Sequence, residues 1–261
     1  MGSWPPAPDP LSLGGGRFRL TRRGGHPPVI VKQGDPAALA VEAEALRALG
    51  EWRGVPRLLE SAGDTLTTVD VGGTPRPLQA IRAPELRELG TLLRELHDLA
   101  VPHPATPWTY RTARLTAIRA RPAGRAVARR PAPAPAPRLC RIHGDLIAEN
   151  VVWTPGPVLV DWEFSRIGDP AEDLAYLLAV NGAGPDARRA LMGGYRDDGI
   201  AHRVRRWAPH LAAEAIDWWL MCGEVERARS LAASVGISLP SDPSGPPRPS
   251  DGAAPAGDRP R

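Results

Sequence analysis

The chain is almost without lysine. Of its 33 lysine and arginine residues in 261, only Lys32 is a lysine. Alanine, proline and glycine are abundant as well, so the arginine excess reads as a compositional bias of the kind a GC-rich genome produces. A net charge of +4 and a pI near 9.6 are therefore poor evidence for nucleic acid, and no specific nucleic-acid partner is expected. Cysteine is scarce too. Cys140 and Cys222 lie far apart and form no C-x-x-C, which speaks against a metal ribbon or a disulfide framework and favours reduced thiols in a cytoplasmic protein. No apolar run approaches the roughly 18 residues a membrane span requires, so no membrane partner is expected. The first ten residues, MGSWPPAPDP, lack a basic region, an apolar core and a Ser or Thr at position six, so neither a secretory signal nor myristoylation is expected.

What is present divides into two parts. Glycine turns split 11–32 into three short strands, the last being Val29-Ile30-Val31 followed by the lone lysine. Asp35 and Pro36 signal the start of a helix over 37–49, with Leu39, Leu46 and Leu49 at helical spacing. RLLES and TLTTVDV read as two further strands, and Gly72, Gly73 and Pro75 close this first unit, 11–75. The second unit, 76–238, opens with an amphipathic helix over 84–99 striped by Leu86, Leu89, Leu93 and Leu96. Residues 119–138 are mostly Arg, Ala and Pro and predict extended or disordered backbone. NVVWTPGPVLVDW predicts a hairpin about Thr154-Pro155-Gly156-Pro157, and the remainder to 238 is mostly helical. Residues 1–10 are expected to be flexible and 239–261, rich in Pro, Gly and Ser, disordered. The expected class is α+β, a small antiparallel sheet with one main helix joined to a mostly helical part.

RIHGDLIAENVVW, 141–153, sets His143, Asp145 and Asn150 in one polar run before an apolar strand. Asp145 can take a proton from a hydroxyl, and Asn150 can offer its side-chain carbonyl to magnesium. VLVDWE places Asp161 at the end of the next strand, across the hairpin from Asn150, as a second cation ligand. Lys32 ends its strand as a point charge suited to phosphate, and Glu42 or Glu44 on the following helix can orient it; Glu42, four residues before Leu46, is the reading taken. Gly14, Gly15 and Gly16 allow backbone close to phosphate, because no side chain intervenes. Together these parts are what phosphoryl transfer asks of a protein: positioning and charge compensation.

LGGGRF, VIVK, HGDLIAEN, DWE and GDPAEDLA, in that order, resemble the aminoglycoside phosphotransferase and choline kinase group, relatives of the protein kinases. The resemblance runs from about Leu11 to Leu178 and implies a kinase-like two-lobed fold. It also implies ATP as phosphoryl donor with Mg2+, Lys32 on the α- and β-phosphates, Asp145 as catalytic base, and Asn150 and Asp161 as magnesium ligands. By the same resemblance His143 braces the catalytic loop, Asp173 is structural, and a small hydroxylated molecule is the acceptor, bound in the helical lobe. Glu163 stands where the kinases carry the glycine of their metal triplet, and Glu149 places a negative charge beside Asn150. In the helical lobe HLAAEAIDWWLMCGEVERA offers Glu214, Asp217, Trp218, Glu224 and Glu226. Glu163, Asp217 and Trp218 are the expected acceptor contacts, suited by charge and cation–π attraction to a cationic hydroxylated compound such as an aminoglycoside. The competing readings are a catalytically weak kinase-like regulatory or binding module and, behind it, a non-specific nucleic-acid binder using 119–138.

Overall fold

The computed structural model describes residues 18–99 and 107–239. β1 (Phe18–Arg23), β2 (Val29–Gly34), α1 (Pro36–Leu49), β3 (Leu58–Ala62) and β4 (Thr65–Val69) form the first lobe. Its sheet is antiparallel in the order β1-β2-β4-β3, so β2 is central and Lys32 pairs with Leu20 on one side and Leu66 on the other. α1 starts at Asp35 because the Asp35 carboxylate accepts the Ala37 N–H at 2.9 Å and Pro36 occupies the first turn. It turns Leu39, Leu46 and Leu49 inward. Two strands flank the first glycine turn of the described region; the third expected there, and Gly14, Gly15 and Gly16, lie outside the described residues.

The second lobe begins with the two-residue strand β5 (Thr74–Pro75), which pairs Thr74 with Trp153 and Pro75 with Val152. α2 (Ala83–Asp98), α3 (Pro107–Arg119) and α4 (Pro122–Ala126) follow, then β6 (Cys140–Ile142), β7 (Val151–Thr154), β8 (Gly156–Leu159) and β9 (Arg166–Gly168). α5 (Pro170–Val180), α6 (Pro185–Tyr195), α7 (Ile200–Met221) and α8 (Val225–Val235) complete it. β5, β7 and β8 form one small sheet and β6 with β9 another, so the α+β expectation holds. Leu89, Leu92 and Leu93 of α2 and Leu174 and Leu177 of α5 are fully buried, each worth about 1.5–3 kcal/mol of transfer free energy. α2 and α6 approach through Gly90 and Gly194. A Cβ at Gly90 would strike the Leu191 carbonyl, and one at Gly194 the Arg87 carbonyl. Among the described residues no helix is long and apolar enough to cross a membrane.

One sequence expectation is corrected. Residues 119–138 are ordered along their length and contain the short helix α4, with Ala123, Gly124, Val127 and Ala136 buried. The physical reason lies on α7: the buried Asp217 carboxylate accepts the N–H groups of Ala123 and Gly124 at 2.9 and 3.2 Å. That contact caps α4 and fastens the segment to the core.

Candidate active site

One side of the candidate site is built on β2 and α1. Lys32 is buried within β2, two residues short of the strand end at which the sequence places it, and its ammonium donates to Glu42 Oε2 at 2.7 Å and to Asp161 Oδ1 at 2.5 Å. The Phe18 ring lies under it, 4.1 Å from Nζ to the centroid. Burial alone would lower the Lys32 pKa; the Asp161 and Glu42 carboxylates outweigh it and push the ammonium above its ordinary value. Glu44, two residues along α1, faces elsewhere and pairs with Arg141. Asp161 follows β8 with φ 67°, a left-handed conformation that aspartate tolerates better than most residues.

The 143–150 turn is held from behind by the start of α5. Asp173, fully buried, accepts the His143 N–H at 2.8 Å and the Gly144 N–H at 2.9 Å, and it meets His97 Nε2 at 3.1 Å. His97 Nδ1 continues the chain to the Tyr195 hydroxyl at 3.0 Å. Burial would raise the Asp173 pKa, but His97 and the two amides overcome that and hold the carboxylate below its usual range. His143 donates from Nε2 to the Val160 carbonyl at 2.9 Å and packs on Trp162 with ring centroids 4.7 Å apart. The imidazole therefore ties the turn to the residue before Asp161. Gly144 sits at φ 86°, where a Cβ would collide with the Phe164 carbonyl. Only glycine fits this position.

Asp145 emerges from that brace. Its carboxylate pKa is raised, chiefly by burial and further by Asp161, while His143, the Tyr176 hydroxyl and the Asn150 amide hold it back. Asn150 donates from Nδ2 to the Asp145 carbonyl at 2.9 Å and to Asp145 Oδ2 at 3.2 Å. With the amide nitrogen so used, the side-chain carbonyl of Asn150 is the atom a cation would meet. Asn150 and Asp161 offer hard oxygen donors of the kind magnesium takes from protein, one or two groups with phosphate and water completing the shell. The donor set fits the ion. Among the described residues no cluster of three or more His, Cys, Asp and Glu side chains has a metal-binding arrangement.

On the acceptor side the geometry redistributes the expected residues. Glu163 is partly buried directly after Trp162. Trp218 meets Phe164 edge to face, 5.7 Å between centroids at 84°, so it borders the turn that follows Asp161. Asp217, expected at the acceptor, is buried, and its carboxylate accepts the Ala123 and Gly124 amides of α4. Glu214 is also engaged, by both terminal nitrogens of Arg114 at 2.6 and 2.5 Å. Glu224 and Glu226 pair with Arg227 and Arg229. Glu149 meets Arg227 at 2.7 Å, which offsets the extra negative charge beside Asn150. His97 and Tyr176 escaped the sequence reading. A histidine directly after the leucine stripe of α2 was the available signal for the first; for the second there was none, since its partner lies in a different element.

A protein of Streptomyces vinaceus named viomycin phosphotransferase is 45% identical over 69 residues, covering 24% of this chain and 24% of that protein. The match thus spans about a quarter of the relative's length. A choline/ethanolamine kinase family protein from Mesorhizobium loti has the same fold, with a TM-score of 0.63 at 20% identity over 89% of this chain and 90% of its own. A macrolide 2'-phosphotransferase from Brachybacterium faecium superposes with a TM-score of 0.63 at 16% identity, covering 90% and 92% of the two chains. The sequence model of the phosphotransferase enzyme family matches residues 10–208, and the chain belongs to that family.

Proposed function

We propose that this protein transfers the γ-phosphoryl group of ATP to a hydroxyl of a small molecule. The observation that carries the reading is the sole lysine of the chain, buried and held between Glu42 and Asp161. Asp145 and Asn150 stand on the adjoining braced turn. Asn150 and Asp161 would hold magnesium, which when bound neutralises and aligns the phosphates. Lys32 turns from Asp161 to the phosphate oxygens while Glu42 fixes its direction. Gly14, Gly15 and Gly16, the sequence's candidates for backbone close to phosphate, lie outside the described residues. Asp145 orients the acceptor hydroxyl and receives its proton as the oxygen attacks, with a carboxylate made more basic by burial.

Phe164, Trp218 and Glu163 border the acceptor, which on this reading is a hydroxyl-bearing antibiotic or a choline-like amine, the classes named for the relatives. The setting is the cytoplasm, where both cysteines stay free. The test is transfer from labelled ATP and magnesium to a panel of viomycin, aminoglycosides, macrolides and choline. Asp145→Asn is expected to cost about 10²–10⁴ in kcat while still binding nucleotide. Unimpaired transfer by that variant would sink the mechanism. Nucleotide binding by the wild type without single-turnover transfer to any acceptor would favour a non-catalytic module.

A further inference from the structure

Behind the phosphate side a second ion pair joins the lobes. Arg141 on β6, two residues before His143, donates from Nη1 and Nη2 to both carboxylate oxygens of Glu44 on α1, at 2.9 and 2.8 Å. A two-point contact of this kind fixes orientation as well as distance. The partners differ in setting: the Arg141 side chain is 10% exposed and Glu44 59%. Arg141 Nη1 also lies 3.5 Å from Ser165 Oγ, and that hydroxyl donates to the Ile142 carbonyl at 2.9 Å. One guanidinium therefore touches α1, the strand that leads into the catalytic turn, and the turn that follows Asp161.

α1 also carries Glu42 on its buried face, two residues away and so about 200° around the helix. Whatever holds α1 against the second lobe sets the reach of Glu42 to Lys32. If α1 drew back, Lys32 would keep Asp161 as its near carboxylate. That pairing occupies both the phosphate-binding cation and a magnesium ligand.

We propose that the Arg141–Glu44 pair is a positioning clamp for the nucleotide site: it holds α1 docked so that Glu42 stays on Lys32 and Lys32 can leave Asp161 for phosphate. The clamp rests on the reading of Lys32 and Asp161 as nucleotide and magnesium residues. Glu44 and Arg141 touch no phosphate themselves; they act through Glu42.

The experiment is calorimetric titration of the full chain with ATP and magnesium, with the ligand-free thermal midpoint measured alongside. Glu44→Ala, a change at an exposed position that leaves the protein folded, is expected to raise the Kd for the nucleotide about five- to tenfold. Glu44→Asp should fall between the two. The charge-exchanged double variant Glu44→Arg with Arg141→Glu should recover most of the affinity. Arg141→Leu alone is not decisive, because removing a buried guanidinium can disturb folding. A Glu44→Ala protein that binds within twofold of a binding-competent wild type overturns the clamp, even if its midpoint drops. So does an exchanged pair that binds no better than Glu44→Ala. A wild type that binds no nucleotide overturns the site reading itself, and the clamp with it.

Discussion

At the residue scale, function and folding make opposite demands on buried charge. Lys32 keeps its charge because two carboxylates flank it, and Asp173 keeps its own because two amides and His97 do. His210 has no comparable support. It is fully buried on α7, and burial together with the nearby Arg119 guanidinium lowers its pKa to about 4, against a slight upward pull from the Pro131 backbone. The imidazole is thus neutral in the folded protein and takes a proton near pH 6.5 once unfolded. The unfolded state binds more protons across this window. The His210 contribution to stability is therefore complete above about pH 6.5 and is lost as pH falls toward about 4. Thermal midpoints of the wild type and His210→Phe, measured from pH 7.5 to 4, should diverge: the wild type falls more steeply. Parallel curves would mean that His210 is not held neutral by the fold.

At the element scale, what was legible in the sequence is what local signals specify. α1 starts at Asp35 and Pro36 as read, because its cap and its first turn are adjacent in the chain. The β7–β8 hairpin forms where the sequence places it but turns more tightly: Thr154 pairs with Gly156 and Trp153 with Pro157, so only Pro155 of the four expected turn residues lies between the strands. α4 was not legible, because its cap, Asp217, is 94 residues from Ala123. The same distance hid the fate of the Asp217 carboxylate, which sequence alone assigned to a substrate. Asp217→Asn keeps the size but turns an amide nitrogen toward one of two backbone donors. It is expected to lose about 1–3 kcal/mol of stability with an unchanged affinity for nucleotide. Urea unfolding with nucleotide titration checks this. Retained stability with lost acceptor binding would return Asp217 to the acceptor site.

At the scale of the whole molecule, the candidate site is assembled from four regions that only the fold brings together: β2, α1, the 143–150 turn and the residue after the hairpin. Sequence order pointed to Lys32, Asp145, Asn150 and Asp161, because each is a polar residue that stands out within or a few residues from an apolar strand. It favoured Glu42 over Glu44, which share a helix, and the structure pairs Glu42 with Lys32; what settles the choice is which face meets β2, a tertiary fact. Because the site draws on both lobes, a ligand that engages it must stabilise the chain as a unit. At a hundredfold excess over its dissociation constant, a ligand bound only by the folded state adds about 2.7 kcal/mol. For a chain of this size that is a rise of about 5–10 °C in thermal midpoint. The rise should require ATP and magnesium together and vanish in Asp161→Ala, whose lost carboxylate is both the proposed magnesium ligand and the ligand-free partner of Lys32. ATP alone should shift the wild type little, since Lys32 then has no reason to release Asp161. An equal shift with and without magnesium would place the nucleotide elsewhere and remove Asp161 from its assigned role.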